Sequence, residues 1–181
     1  ELALLDIMMD GRDFTIGLGR GLARYEYERM RVPMDTSRER FREAFEVIKL
    51  ALTQGQFSYD GKFFQIPETV IRPQPKSKDL IDRVYISSVT PPSIQTAAEL
   101  GVGLMIIPQK PWKEVENELR SYREIYQEVN GKPAPPPIVV GFTFCHEDED
   151  TAREMAKEYI GNYWESIVDH YEFHSDHLKT T

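Results

Sequence analysis

The spacing of hydrophobic residues along the chain predicts helices that alternate with short strands. Apolar residues at steps of three and four positions are typical of helices with one buried face. Such runs occur repeatedly, and most of them end at a glycine. The first run, at the end of an apolar helix, is Leu2, Leu4, Leu5, Ile7 and Met8. The residues that share one face of each later helix are Phe41, Ala44, Phe45, Ile48 and Leu52; Ile94, Ala97 and Ala98; Trp112, Val115, Leu119, Tyr122, Tyr126 and Val129; and Ala152, Met155, Ala156, Tyr159, Ile160, Tyr163 and Ile167.

Short apolar runs between these helices predict strands. They are Phe14–Gly17, Val84–Ser88, Leu104–Ile107 and Ile138–Phe144. The segment Phe57–Ile66 alternates and predicts a β-hairpin that turns on Asp60-Gly61, the composition of a type I′ turn. The repeated order of strand and helix, about four units, predicts an α/β fold with a parallel sheet and right-handed crossovers. The hairpin is inserted in the first connection.

Two architectures satisfy this order: a small doubly wound sheet, and half of a (β/α)8 TIM barrel. A complete barrel needs roughly 250 residues, whereas this chain has 181. Its first residues, ELALLDIMMDGR, have the pattern of a helix tail, so we expect the chain to begin within a domain. A half barrel leaves strand edges and its inner face uncovered, which favours a homo-oligomer over a lone monomer.

The composition narrows the classes of function. The chain is 40% hydrophobic and contains nine Tyr, nine Phe and two Trp, enough for a packed core. The formal net charge of −8 argues against nucleic-acid binding, and no apolar run has the length of a membrane span. The single cysteine, Cys145, excludes an internal disulfide and fits a reducing, cytoplasmic compartment. It follows an apolar strand and is expected to be buried.

The first candidate binding segment is Gly19-Arg20-Gly21, just after a predicted strand. Glycines let the backbone approach a ligand closely, and the guanidinium of Arg20 suits a phosphate. A glycine-rich turn that only reverses the chain explains the same residues. The segment alone is therefore a weak signal.

Hydroxyl groups form the second candidate segment, Ser87–Ser93, where a predicted strand ends and a helix begins. Backbone N–H groups and the helix dipole favour an anion there, to which Thr90 and Ser93 can donate. Plain N-capping by Thr90 accounts for the same residue types. In both architectures ligands bind at the carboxyl ends of the strands, and successive parallel strands are neighbours. We therefore expect both segments to converge on one phosphate.

Three histidines near the end of the chain, His170, His174 and His177, are interleaved with acidic residues. His170 and His174 would share one face of a helix, an arrangement that can bind a metal ion. No matching ligand occurs elsewhere in the sequence, and a solvated helix end explains the composition. We predict no metal site.

The ordered run that begins LLDIMMDGRDFTIGLGRG and continues through FSYDGKFFQIPE and VYISS to AAELGVGLMI resembles the bacterial-luciferase-like monooxygenases. The resemblance implies a partial (β/α)8 barrel that lacks the first strands and the last, with residues 1–181 as a single domain. It also implies an enzyme that uses reduced FMN and O2 to oxidise a small organic substrate, with a flavin reductase as partner. Two alternatives remain: hydride transfer with the deazaflavin coenzyme F420, and a non-catalytic flavin-binding or structural homologue.

The same resemblance implies the residues that hold the FMN phosphate, because in this family the loops after the fourth and fifth strands grip it. They are Gly19, Arg20, Gly21, Ser88, Val89, Thr90 and Ser93. Val89 stands where the luciferase branch carries an acidic residue, which argues against light emission. Related members use a histidine from the first strands, but this chain has none before His146, so no catalytic residue is predicted.

Overall fold

The chain folds into helices and strands whose order follows the predicted alternation. A computed structural model describes residues 1–88 and 90–174. The helices are α1 Leu2–Met9, α2 Arg24–Met30, α3 Ser37–Thr53, α4 Pro91–Leu100, α5 Trp112–Asn130 and α6 Glu149–His170, with a 3-10 turn at Leu80–Arg83. The strands are β1 Ile16–Leu18, β2 Phe57–Asp60, β3 Gln65–Thr69, β4 Val84–Ser87, β5 Gly103–Ile106 and β6 Ile138–Val139.

The chain divides into two compact units. The first, the sheet unit, comprises Glu1–Gly19 and Glu39–Val140. The second, the helical unit, comprises Arg20–Arg38 and Gly141–Thr181. The first candidate binding segment is thereby divided, since Gly19 ends the first part of the sheet unit and Arg20 opens the helical unit. The second candidate segment, Ser87–Ser93, belongs to the sheet unit.

A parallel sheet with strand order β1-β4-β5-β6 forms the centre of the sheet unit. Its register pairs Leu18 with Ile86 and Ile86 with Leu104. This confirms the predicted parallel sheet and the predicted neighbour relation of successive strands. The last strand is shorter than predicted: β6 ends at Val139, and beyond it the Val140 N–H donates to the carbonyl of Ile106, the last residue of β5, at 2.9 Å.

The core lies on the face of the sheet that α4 and α5 cover. Val84 and Leu104 are fully buried there, as are the small residues Ala97 and Ala98 of α4. In α5 the buried residues are Val115, Leu119, Tyr122 and Tyr126, all of which were predicted. The predicted ends of that stripe, Trp112 and Val129, are instead 53% and 54% exposed, because they lie on the first and next-to-last residues of the helix.

The opposite face of the sheet carries a row of two glycines and an aromatic ring. Gly17, Tyr85 and Gly103 are paired across β1, β4 and β5 and therefore point the same way. The Tyr85 ring lies over Gly103 so closely that a Cβ at Gly103 would be 2.4 Å from its Cδ1. A side chain at position 103 therefore requires the Tyr85 ring to move.

The β2–β3 hairpin has a different turn from the predicted one. Asp60 pairs with Gln65, so the loop spans residues 61–64, and Gly61 does not have the positive φ of a type I′ turn. The carboxylate of Glu43 in α3 accepts hydrogen bonds from the loop N–H groups of residues 62, 63 and 64. Burial raises the pKa of Glu43, but these N–H groups outweigh it and leave the pKa below its usual value.

Asp6 of α1 is a buried carboxylate that fixes a distant loop. It is 3% exposed and accepts hydrogen bonds from the Ser77 hydroxyl at 2.6 Å, the Ser77 N–H at 2.7 Å and the Lys76 N–H at 2.6 Å. The Ser77 hydroxyl, followed by these N–H groups, holds the pKa of Asp6 below its ordinary value of 3.8, although burial opposes the effect. The charged form of Asp6 therefore stabilises the fold.

We expect Asp6→Asn to lower the melting temperature at neutral pH and to remove part of the acid dependence of stability. A depressed carboxyl pKa stabilises the fold above the unfolded-state value of 3.8 and loses that effect as pH falls through the folded-state pKa. The gap between wild type and Asp6→Asn should thus close as the pH falls below that value. This difference in melting temperature is measured by thermal unfolding at several pH values, monitored by circular dichroism. Asp60→Asn, at an exposed position, is the control for loss of one carboxylate. A gap between wild type and Asp6→Asn that stays constant with pH would contradict the assignment.

In the helical unit, aromatic contacts replace a buried helix face. None of the described residues of α6 is buried, although a seven-residue inward face was predicted. Tyr163 instead packs on Phe142, with ring centroids 5.1 Å apart, and Tyr159 stacks on Phe144 at 6.2 Å. Cys145 is exposed, which corrects the expectation of a buried thiol. The strand before it ends at Val139, so no sheet continues far enough to cover it.

Candidate functional site

The segment after β1 begins in the sheet unit with Gly19. Leu18, which precedes it, is paired with Ile86 of β4, so Gly19 and the residues after β4 lie at the same edge of the sheet. A Cβ built on Gly19 would meet no atom within 4 Å. The space around Gly19 is thus open, as close approach of a ligand to its backbone requires.

Arg20 and Gly21 follow within the helical unit, where two side chains hold them. The Arg20 guanidinium donates from Nη1 to the Ser37 hydroxyl at 2.7 Å. The Tyr27 hydroxyl donates to the Arg20 carbonyl oxygen at 2.5 Å. Gly21 has a φ of +86°, a conformation that strongly favours glycine. The Gly19–Gly21 segment is therefore a defined turn with a directed arginine.

The second segment contributes hydroxyl groups after β4. Ser88 is 2% exposed, and its N–H donates to the Met105 carbonyl at 2.9 Å, which fixes the start of the segment to β5. Thr90 is the N-cap residue of α4, but its side chain does not cap a backbone N–H. Its hydroxyl is paired with that of Ser93 at 2.8 Å. The capping alternative for the Thr90 side chain is therefore wrong.

Two prolines change the chemistry of this helix start. Pro91 and Pro92 occupy the first two positions of α4 and have no N–H, and the Ser93 N–H donates to the Thr90 carbonyl at 3.0 Å. Among the described residues, positions 91 and 92 thus offer no N–H to an anion, and the N–H of Ser93 is engaged within the helix. In the Thr90–Ser93 hydroxyl pair, one proton joins the two oxygens and the other remains available to a ligand. The features of this helix start that favour an anion are these hydroxyls and the dipole of the ten-residue helix.

The structure thus places the predicted residues in two groups. Gly19, Ser88, Thr90 and Ser93 lie at one edge of the sheet unit, whereas Arg20 and Gly21 lie in the helical unit. Val89 lies outside the described residues. Each group by itself carries donors of a kind that suits phosphate oxygens: hydroxyls in the sheet unit and a guanidinium in the helical unit.

Sequence reasoning missed Tyr27 and Ser37. Tyr27 lies in α2, and Ser37 is the first residue of α3. Both side chains contact Arg20, at sequence distances of seven and seventeen residues. No spacing of residues in the sequence predicts these contacts with Arg20, because they depend on how α2 folds back on the glycine turn.

Of the histidines considered as metal ligands, His170 contacts a carboxylate and a tyrosine hydroxyl. His170 Nε2 lies 3.2 Å from the Glu26 carboxylate and 2.8 Å from the Tyr25 hydroxyl. His177 lies outside the described residues. Within residues 1–88 and 90–174, no group of three or more potential ligands could hold a metal ion.

None of the helices described for this chain is long and apolar enough to cross a membrane.

The sequence model of the luciferase-like monooxygenases matches residues 1–179. The chain belongs to this family. A similar curated relative is the oxygenase component of the flavin-dependent trigonelline monooxygenase of Acinetobacter baylyi, 29% identical over 161 residues, which cover 87% of this chain and 44% of the relative. The chain spans about half the length of the curated relatives it matches.

Solved structures share the fold of this chain. Monooxygenase RslO1 from Streptomyces bottropensis superimposes with a TM-score of 0.83 and 24% identity, over 97% of this chain and 54% of RslO1. An F420-dependent secondary alcohol dehydrogenase superimposes with a TM-score of 0.68 and 19% identity, over 87% of this chain and 48% of that protein. The fold is therefore the predicted one, an α/β partial (β/α)8 barrel with an inserted hairpin.

Proposed function

We propose that this chain is part of a flavin-dependent oxygenase that uses reduced FMN and O2 to oxidise a small organic substrate. The family match over residues 1–179 carries this proposal, and the donors at the ends of β1 and β4 support it. The trigonelline monooxygenase relative is named as an oxygenase component, so a separate flavin reductase is proposed as the partner that supplies reduced flavin.

In this proposal the chain's residues bind the cofactor by its phosphate. Arg20 supplies the positive charge, while Thr90 and Ser93 supply hydroxyl donors. Gly19, Gly21, Ser88 and Val89 provide the backbone that surrounds the phosphate and the flavin. Reduced FMN supplies the electrons for oxygen activation, and the protein supplies binding, orientation and exclusion of water.

Serine and threonine hydroxyls donate to a phosphate without adding charge of their own. Their contribution is therefore geometric: they orient the phosphate relative to the sheet edge, and Ser88, anchored to Met105, fixes that edge. Anchoring the phosphate fixes one end of the cofactor, and other residues position its ring system. The substrate then meets a cofactor of fixed orientation.

The proposal predicts selective uptake of FMN and incorporation of an atom of molecular oxygen. The purified chain is incubated separately with FMN, riboflavin and coenzyme F420, and the bound chromophore is quantified after gel filtration. Turnover is then measured by mass spectrometry with ¹⁸O2, a flavin reductase and NADH, with trigonelline and a long-chain aldehyde as probe substrates.

Uptake of FMN with ¹⁸O in a product supports the oxygenase. Uptake of F420 with reduction by a secondary alcohol would favour hydride transfer, as in the dehydrogenase of similar fold. FMN uptake without product from either probe would favour a non-catalytic flavin-binding homologue. Absence of any flavin uptake would contradict the phosphate site.

A further inference from the structure

Arg20 is held at both ends by residues of its own compact unit. Its guanidinium donates to Ser37 at 2.7 Å, and its carbonyl oxygen accepts from the Tyr27 hydroxyl at 2.5 Å. Ser37 is 4% exposed, so it presents a fixed acceptor rather than a mobile surface hydroxyl. The side chain and the peptide of Arg20 are thus fixed independently of each other.

The position of this guanidinium is electrostatically unusual. Ser37 is the first residue of α3, and the N-terminus of a helix carries a partial positive charge that disfavours a nearby cation. Among the described residues, Arg20 has no ion-pair partner, whereas Arg24, four residues later, pairs with both Glu28 and Glu172. The fold therefore holds a cation beside a positive helix end without an anion of its own.

The contact of Tyr27 with Gly21 fixes the turn on the other side of Arg20. A Cβ at Gly21 would lie 3.3 Å from the Tyr27 hydroxyl oxygen and 3.6 Å from two of its ring carbons. The Tyr27 ring thus covers the left-handed Gly21 backbone and holds the carbonyl of Arg20 at the same time. Rotation of the Arg20 peptide would break this hydrogen bond.

We propose that Ser37 and Tyr27 are positioning residues that direct the remaining N–H groups of Arg20 to the phosphate of the flavin and so set the preference for FMN over riboflavin. The inference rests on the proposed function. Ser37 and Tyr27 act through Arg20 and do not contact the cofactor themselves. A long arginine side chain has many rotamers, and holding it in one of them before binding lowers the entropy cost of binding.

The test compares dissociation constants for FMN and riboflavin, measured by quenching of flavin fluorescence, in the Ser37→Ala and Tyr27→Phe variants. Each variant should weaken FMN binding about 3- to 10-fold, the effect of losing one ordinary hydrogen bond, and leave riboflavin binding unchanged. Ser37→Thr keeps the hydroxyl and should restore the preference. Thr36→Val and Tyr25→Phe remove neighbouring hydroxyls that contact Pro33 and His170, and they serve as matched controls.

The Arg20→Ala variant, measured in parallel, distinguishes failure of the proposed phosphate site from failure of the positioning role of Ser37 and Tyr27. If Arg20→Ala leaves the ratio of the riboflavin and FMN constants unchanged, the proposed phosphate site fails. If Arg20→Ala lowers the ratio but Ser37→Ala and Tyr27→Phe do not, only the positioning role fails. Equal weakening of both flavins by Ser37→Ala and Tyr27→Phe would show a structural role and would overturn the inference.

Discussion

Replacing Arg20 by alanine is expected to weaken FMN binding about 10- to 100-fold and to leave riboflavin binding within about 2-fold, because charge-assisted hydrogen bonds contribute about 1.5–3 kcal/mol. Riboflavin lacks the phosphate, so it has no group that requires the guanidinium. Isothermal titration with each flavin measures the two constants.

Arg153 provides a matched control for this variant. It belongs to the same unit, is exposed, and pairs with Glu149 at 2.7 Å one helical turn away. Arg153→Ala removes the same charge from the protein and should leave both flavin constants unchanged. Loss of FMN affinity of similar size in Arg20→Ala and Arg153→Ala would show that net charge, rather than a phosphate contact, determines binding.

Adding a methyl group to Gly103 is expected to destabilise the fold by about 1–3 kcal/mol, the usual cost of overpacking. The new Cβ would lie 2.4 Å from ring carbons of Tyr85, a separation that real Cβ atoms do not adopt. The ring would have to move, and with it the hydrogen bond from the Tyr85 hydroxyl to the Pro136 carbonyl. Chemical unfolding in urea gives the free energy of unfolding.

Gly17 is the matched control, because it lies in the same row of the same sheet face. A Cβ there would be 3.9 Å from the terminal methyl carbon of Met105, an ordinary contact. Gly17→Ala should therefore be neutral or stabilising by about 0.5 kcal/mol, since alanine lowers the entropy of the unfolded chain. In a Tyr85→Ala background the cost of Gly103→Ala should largely disappear. Equal costs at Gly17 and Gly103 would contradict the packing of Tyr85 on Gly103.

The parallel sheet could be predicted because its signals are local. Continuous apolar runs such as residues 104–107 mark strands covered on both faces, and amphipathic helices separate them. The buried stripe of α5, with Val115, Leu119, Tyr122 and Tyr126, follows directly from helical spacing. Local patterns specify these elements, so the element order and the neighbouring strand ends were correct.

The hairpin turn could not be predicted because a distant side chain determines it. Asp60-Gly61 has the composition of a type I′ turn, but Glu43 of α3 binds the N–H groups of residues 62–64 and stabilises a longer loop. The prediction that one face of α6 is buried was wrong for a related reason. Its aromatic residues meet a partner segment, Phe142–Phe144, that the sequence pattern had assigned to a strand.

The candidate site shows the same division between local and non-local information. The positions of Gly19 and Ser88 at adjacent strand ends follow from the order of strands. The hydroxyl pair of Thr90 and Ser93, and the hold of Ser37 and Tyr27 on Arg20, depend on side-chain contacts that no spacing rule supplies. The residues that hold Arg20 therefore became visible only in the folded chain.

The central claim is that this chain recognises a flavin by its phosphate. The most direct measurement is a side-by-side titration of the wild-type chain with FMN and riboflavin at low ionic strength, where phosphate contacts are least screened. We predict that FMN binds at least about 10-fold more tightly, since even one charge-assisted contact contributes that much. Equal affinities for the two flavins would contradict the claim.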